Sequence, residues 1–521
     1  MGMHSSIGYL TNFELLASEG SAMSGLSDLK NKGVHTLSVI GQKNGLRLAV
    51  GGKLCGEHDK GSELYYKIPV VTAQDLGNAA FRETYRTQYA YYAGSMANGI
   101  SSDKMVIALG KAGYMGSYGS GGVPLNEVEM AIDRIQAALP DGPFIVNLLH
   151  SQNDTEKEEE LVSLLLRKSV RVIEASAFIN ISPALIRYRL AGLTKTKNSD
   201  VIAKNRIIAK VSREEVAEAF MSPPNPEIVA ALYAQGHITA QQAELAKEIP
   251  VADDVTVEAD SGGHTDNRPL ISLLPLIIEV RDEAQRRFGY KDMIRIGAAG
   301  GIGTAVSAAG AFQMGADYVV TGSVNQSCVE ADTSDYVKQM LANADMSDVV
   351  MAPSADMFES GMRVQVIKKG TMFPMNAQRL YELFTQYGSL DDIPDKDQKV
   401  LKTRLFQCDI DSVWDKVKEY FGKVDPDQIR RAEASGKYKM ALVFRWYLGN
   451  SSRWAINGEQ DRKMDMQIWC GKSMGAFNRW VRGTDLESPA NRTVVAVADK
   501  IMQEAAFIIM KNQLKFTGIG S

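Results

Sequence analysis

IRIGAAGGIGTAVSAAGAFQMGADYVVTGSVN, from Ile294 to Asn325, is the stretch whose reading decides the fold. A short apolar run ends in Gly297, Gly300, Gly301 and Gly303, a helix-like stretch follows, and a second apolar run ends in Thr321-Gly322-Ser323. Short runs without alternation belong to strands buried on both faces of a parallel sheet, where each strand is carried back to the next by a helix. A dinucleotide-binding unit would need GxGxxG directly after its first strand and an acidic residue closing the second. Here the third glycine position is Val306 and the second run ends in Thr-Gly-Ser, so that reading is discounted. No GxxxxGK(S/T) phosphate loop stands at these turns either.

Working outward, the same alternation runs back to Tyr89 and yields eight candidate strands: TQYAYYAG, AGYMGSYG, PFIVNLLH, VRVIEASAF, NRIIAKVS, DVTVEAD, DMIRIGAAG and ADYVVTGS. Between them lie helical stretches. PLNEVEMAIDRIQAALP places Val128, Ile132, Ile135 and Leu139 on one face. TEKEEELVSLLLRKS opens with a Thr155 cap and an acidic first turn that suits the positive end of a helix dipole. A longer helical pair is expected from Arg213 to Ile249. Eight such units over roughly 235 residues match an α/β fold of the (β/α)8 TIM-barrel type, for which about 250 residues are typical.

Two further regions flank the barrel. Residues 1–80 read as a small β-rich N-terminal element, with two strands around Lys43-Asn44-Gly45. Residues 81–329 form the barrel. Residues 330–521 read as a mainly helical substrate or lid region packed on it, carrying NAQRLYELFTQYG, VWDKVKEYFGKV and TVVAVADKIMQEAAFIIMKN. FRWYLGNSSRW and QIWCGKSMGAFNRWV are taken as aromatic- and Arg-rich connections between helices.

Bulk properties exclude several function classes. A net charge of -4 with dispersed basic residues gives no electrostatic footprint for nucleic acid. Four cysteines, Cys55, Cys328, Cys408 and Cys470, show no metal-ligand or disulfide spacing, so no metal is expected and a reduced, cytoplasmic setting is. The first residues carry no export-signal pattern, and no apolar run has the length of a membrane span.

The chemistry gathers at the strand ends. Glycine turns on the last two strands, around Ala299, Gly300, Gly301, Gly322 and Ser323, predict a phosphate site, because bare N–H groups and helix starts meet anions there in such barrels. If the phosphate belongs to a flavin, other strand ends supply its surroundings. Ser95, Met96, Ala97 and Asn98 let a flat ring approach the main chain; Asn147 offers an amide, Glu174 a carboxylate and Lys210 an ammonium, although a lysine there is more often ion-paired. Strand six runs into VEADSGGHTDNRP, with Asp260, Gly262, Gly263 and His264. Two readings of that stretch compete: a tight turn with an incidental imidazole, or a ring approach beside an acid/base group able to work at neutral pH.

The segments VEADSGGHTDNRP, IRIGAAGGIGT, YVVTGSVNQ, YAGSMANGI, MAPSADMFE and GTMFPMNAQRLYELF together resemble the PfaD-type trans-acting enoyl reductases of polyunsaturated fatty acid and polyketide synthases. Those proteins are similar to FMN-dependent barrels that include nitronate monooxygenases. The resemblance implies FMN, NADPH (or NADH) as hydride donor, and an enoyl thioester on an acyl carrier protein among other synthase subunits. It implies His264 as the catalytic residue, Gly300, Gly301, Gly322 and Ser323 at the phosphate, and Asn147 at the flavin. One departure stands out: the wider group commonly carries Ala-Pro-Met after its first strand, where this chain has Ser95-Met96-Ala97-Asn98. Met372, Phe373 and Met375 are candidates for an acyl-channel wall, and Lys368 with Lys369, or Arg167, Lys168 and Arg171, for a face toward an acidic carrier. A nitronate-oxidising flavoprotein and a non-catalytic assembly component of a synthase are the alternative functions. A homodimer is expected only from its frequency among enzymes.

Overall fold

The computed structural model describes residues 8–15, 34–42, 45–55, 61–150, 155–196, 201–356 and 358–516. Strands β1 (Gly8–Leu15), β2 (Thr36–Gln42), β3 (Gly45–Cys55) and β4 (Ser62–Pro69) pair antiparallel in the closed order β1-β3-β2-β4. Leu10, Ile40, Ala49 and Leu64 fill this small element. Lys43 and Asn44, expected at its turn, lie outside the described residues.

The eight strands expected from the sequence form one parallel barrel. They are β5 (Tyr91–Ala93), β6 (Met115–Tyr118), β7 (Ile145–Leu149), β8 (Val172–Ser176), β11 (Arg206–Val211), β12 (Asp254–Glu258), β14 (Arg295–Ala299) and β15 (Tyr318–Thr321), and β15 closes the ring on β5. A two-stranded hairpin, β9 (Thr194–Lys195) with β10 (Val201–Ile202), stands apart. Alternation along the strands sends Tyr92, Ile208 and Tyr318 into the interior cluster. Phe81, on the helix Ala79–Tyr85, stacks on Tyr318 with ring centroids 4.4 Å apart. Near it, Arg295 grips Asp254 through two hydrogen bonds of 2.6 and 2.8 Å. These contacts stopper the end of the barrel where the strands begin, leaving the opposite end for polar side chains. A Cβ at Gly297 would fall 2.0 Å from the Tyr318 ring, so the bulky tyrosine requires a glycine across from it.

The outer helices agree with the periodicity except in two places. Thr155 is the first residue of the helix Thr155–Arg167 rather than its cap. The expected helical pair from Arg213 to Ile249 is three helices, Glu214–Met221, Pro226–Ala234 and Ala240–Leu245, because Pro223, Pro224 and Pro226 break the first from the second.

After β15 only a four-residue helix, Ser323–Gln326, follows directly. The chain then builds a second core around Phe358, Val366, Phe373, Leu380, Trp414, Phe444 and Tyr447. Most of this part is helical, but β16 (Val349–Pro353) and β17 (Arg363–Ile367) form a hairpin that the sequence reading does not contain. FRWYLGNSSRW is no connection: it lies inside the 22-residue helix Gly436–Asn457. That helix buries residues on most of its sides, so it carries no single apolar stripe to betray it.

The last helix, Val494–Phe516, packs on Ala305–Gln313, the helix after β14, and on Asp103–Lys111, the helix after β5. This is the place of a barrel's eighth outer helix. Residues between Ser327 and Arg492 are therefore inserted between the eighth strand and its helix. The two ends of the insertion meet: buried Arg492 donates to Ser327 Oγ at 3.1 Å, its carbonyl accepts from Val329 at 2.8 Å, and Val494 N–H donates to Glu330 at 2.9 Å. No helix among the described residues is long and apolar enough to cross a membrane.

Candidate active site

Polar side chains gather where the barrel strands end. Glu174 on β8 is fully buried and accepts from the Ser95 N–H and hydroxyl, both at 3.1 Å. Lys210 on β11 bridges Glu174 at 3.3 Å and Glu258 at 3.0 Å. Burial opposes the charge on Lys210, but Glu258 and Glu174 outweigh it and hold the ammonium above the ordinary lysine range. Asn147 on β7 donates to the Glu174 carbonyl at 3.0 Å and to Ser176 Oγ at 2.9 Å. Ser95, after β5, Asn147 and Glu174, midway along β7 and β8, and Lys210, near the end of β11, thus form one hydrogen-bonded cluster. Met96 and Asn98 do not join it: their backbone N–H groups bond Ser101 Oγ at 2.8 Å and the Gly121 carbonyl at 2.6 Å, within the loops after β5 and β6. Ala97 accepts from the Ile100 N–H at 3.3 Å, also within the loop after β5, and its methyl lies near where a Gly121 Cβ would stand.

The glycine turns differ in what surrounds them. Gly300, at φ +78, lies so close to strand six that a Cβ would meet the Ala259 backbone at 2.6 Å. Cβ atoms at Gly301 and Gly322 would meet nothing within 4 Å. The N–H groups of Gly300, Gly301 and Gly322 donate to no acceptor among the described residues, whereas those of Gly303 and Thr304 are taken by Ser307 Oγ at 3.1 and 3.0 Å. Open space lined by free N–H groups between two strand ends suits a phosphate group. Ala299, the last residue of β14, is buried and accepts from Ala259 N–H at 3.0 Å, pinning this edge.

The loop after β12 leaves the barrel and joins the insertion. Its two-residue strand β13 (Gly263–His264) pairs antiparallel with β17, setting Gly263 opposite Gln365 and His264 opposite Val364. His264 Nε2 lies 2.7 Å from Asp356 Oδ2, and the imidazole is half-exposed. Partial burial would lower the affinity of this ring for a proton, but Asp356 and then Glu258 hold it above the ordinary histidine value. Asp260 accepts from Gln365 at 2.8 Å and from Lys472 at 2.8 Å. Gly262 and Gly471 lie close to each other: a Cβ on either would stand 3.0 Å from the other's backbone nitrogen, and Ser323 Oγ accepts from Gly471 N–H at 2.9 Å. The neighbouring Cys470 thiol is pushed up to about 12 by burial and stays uncharged.

The structure thus brings Ser95, Asn147, Glu174 and Lys210, named from the sequence, into one cluster, and sets beside the loop after β12 four residues of the insertion that the sequence reading did not name: Asp356, Gln365, Gly471 and Lys472. A signal for the last two was available in Gly471-Lys472-Ser473, which opens the helix Ser473–Trp480. Among the channel and docking candidates, Phe373 belongs to the second core, and Met375 is exposed. Lys369 pairs with Asp348 at 3.2 Å, Lys168 with Asp133 at 2.8 Å, and Arg171 donates to Asn205 at 3.1 Å. A groove of about 700 Å³ lined by Leu125, Glu156, Glu159, Arg167 and Pro183 opens elsewhere, among the outer helices.

The nitronate monooxygenase family model matches residues 79–391, which hold all eight barrel strands and the first part of the insertion. The chain belongs to that family. A second model, the inserted helical domain of [acyl-carrier-protein] S-malonyltransferase, matches residues 387–466. The chain is similar to one of the polyunsaturated fatty acid synthase subunits of Thraustochytrium sp., at 48% identity over 85% of this chain, and to the polyketide biosynthesis protein PksE of Bacillus subtilis, at 46% over 84%. It spans 30% and 57% of those relatives' lengths. A crystal structure of the enoyl reductase domain of MlnA, from the macrolactin cluster of Bacillus amyloliquefaciens, is 43% identical and covers 85% of this chain and 99% of its own, with a TM-score of 0.82. These likenesses bear out the resemblance to the PfaD-type enoyl reductases.

Proposed function

We propose that this chain is an FMN-dependent enoyl reductase that acts in trans for a polyunsaturated fatty acid or polyketide synthase, taking enoyl thioesters on acyl carrier protein. The observation that carries the reading is the convergence at one barrel rim of an open glycine cradle and a half-exposed imidazole, in a chain 43% identical to an enoyl reductase domain. The malonyltransferase-like match over residues 387–466 supports a carrier-protein partner, since the domain it resembles is inserted in an enzyme that acts on acyl carrier protein. On this reading the insertion is the substrate-side wall, and other synthase subunits are the chain's partners.

Gly300, Gly301 and Gly322 would hold the flavin phosphate through their free N–H groups, with Ser323 alongside. Ser95, Asn147, Glu174 and Lys210 would border the ring, and Asp260, Gly262 and Gly263 the side toward the substrate. A flavin bound there would supply the two-electron chemistry that links NADPH or NADH to the β-carbon of the enoyl thioester. His264, whose protonated form Asp356 favours, would give a proton to the α-carbon, or a hydrogen bond to the thioester oxygen as it gains charge.

The test is purification followed by absorbance spectroscopy and NADPH oxidation with crotonyl and longer enoyl thioesters, set against an alkyl nitronate. A yellow protein that reduces the enoyl thioester is expected. Nitronate turnover without enoyl reduction would assign the other activity of the family, and a protein that binds no flavin would be left as an assembly component.

A further inference from the structure

We propose that Asp356, on the hairpin turn of the insertion, is the positioning residue for His264, so that the imidazole is made competent only by a segment outside the barrel. The inference rests on the reading in which His264 acts on the enoyl thioester.

Three observations fix the arrangement. His264 Nε2 stands 2.7 Å from Asp356 Oδ2, a distance typical of a charge-assisted bond. The two residues are anchored from both sides: β13 pairs with β17, and the hairpin of β16 and β17 carries Asp356 in its turn. The main chain next to His264 is also clamped, because Gln365 donates to the Ser261 carbonyl at 2.7 Å as well as to Asp260. A surface ion pair between two free side chains is worth little. Here the His264 backbone is ordered by strand pairing and Asp356 stands in the loop that joins the two paired strands of the hairpin, so fewer freedoms are left to lose when the carboxylate sets the ring.

The geometry assigns the two ring nitrogens. Nε2–H donates to Asp356, which leaves Nδ1 as the atom that carries or loses the exchangeable proton. Charged groups around the pair act in the same sense. Glu258 approaches His264 from the barrel strand, and both carboxylates favour imidazolium. Arg445, which pairs with Glu359 at 3.5 Å, adds to His264 in keeping Asp356 ionised against the cost of its partial burial. Lys472 is committed to Asp260. With its folded-state affinity for protons raised, His264 keeps the proton above the pH at which a free imidazole would lose it. An acid role is then lost as pH rises through that raised value.

The chain holds six histidines, few enough for each to be followed by NMR after labelling at Cε1, with H264Q assigning the resonance. In D356N, the His264 midpoint should move down by about one pH unit, as expected for losing an opposite charge within bonding distance. The alkaline limb of kcat for enoyl reduction should move with it, while the KM for NADPH stays unchanged. D356E should restore most of the shift, and thermal midpoints of both variants should match the parent because the side chain is exposed. A D356N midpoint and pH profile that coincide with the parent's would overturn the proposal. If H264Q itself reduces enoyl thioesters at the parental rate, the failure lies in the function assigned to His264 and the positioning role falls with it.

Discussion

Lys210 carries the electrostatics of the barrel's upper end. It is the shared cation of two carboxylates, one of them, Glu174, wholly buried. Replacing it by methionine keeps the bulk and removes the charge, leaving Glu174 in low dielectric with only the Ser95 donors. Breaking a buried pair from one side costs about 3–5 kcal/mol, so Lys210→Met should lower the urea midpoint severely. Glu258→Gln, at a partly exposed partner, should cost far less. If Lys210→Met unfolds within about 0.5 kcal/mol of the parent, as solvated surface changes do, the buried cluster is not what orders this end. At this scale the sequence was readable where a residue's role follows from its place on a strand: Asn147, Glu174 and Lys210 are polar residues set in short apolar runs. Asp356 and Lys472 lie 92 and 212 positions from the partners they hold, and no local pattern encodes such pairings.

The loops after β14 and β15 look alike in sequence and differ in what their glycines do. Gly300 combines φ +78 with a backbone neighbour at 2.6 Å, so Gly300→Ala should destabilise the fold by about 1–3 kcal/mol. Gly322 has φ -128 and open space where a Cβ would stand. Gly322→Ala should therefore leave the thermal midpoint unchanged and, on the flavin reading, weaken FMN at least tenfold while sparing riboflavin, which lacks the phosphate. Fluorescence titration of the flavin-free protein with both compounds decides it: equal loss for the two would place the phosphate elsewhere. Among the elements, the eight barrel strands were legible because each is a short apolar run closed by glycine or polar residues. VVMAP and RVQVI were not, since five-residue strands without strict alternation vanish among helical periodicities. The helix Gly436–Asn457 was missed for the opposite reason, being apolar on too many sides to show a stripe.

At the scale of the whole molecule, the chain leaves the barrel after its eighth strand and returns to finish it. The sequence offered no sign of this, because an outer helix and a lid helix share the same amphipathic pattern and differ only in what they cover. The two roles predict different outcomes for a chain ending at Thr493. A lid helix could be removed and leave a soluble barrel. The helix Val494–Phe516 instead buries Val494, Val497, Ile501, Met502 and Met510, against the barrel and the N-terminal element. At about 1.5–3 kcal/mol for each large apolar side chain, its removal forfeits on the order of 10 kcal/mol, comparable with the whole stability of a typical domain. It also strips the apolar face of Ala305–Gln313, whose N-terminal turn borders the glycine cradle. The truncated chain should be insoluble, or soluble without a cooperative melt by circular dichroism. A cooperative unfolding transition near the parental temperature would show that the barrel closes without its eighth helix. The Val494 N–H that holds Glu330, just past the cradle, is lost with this helix, so on the flavin reading the truncation should also weaken flavin retention before any catalytic side chain is touched.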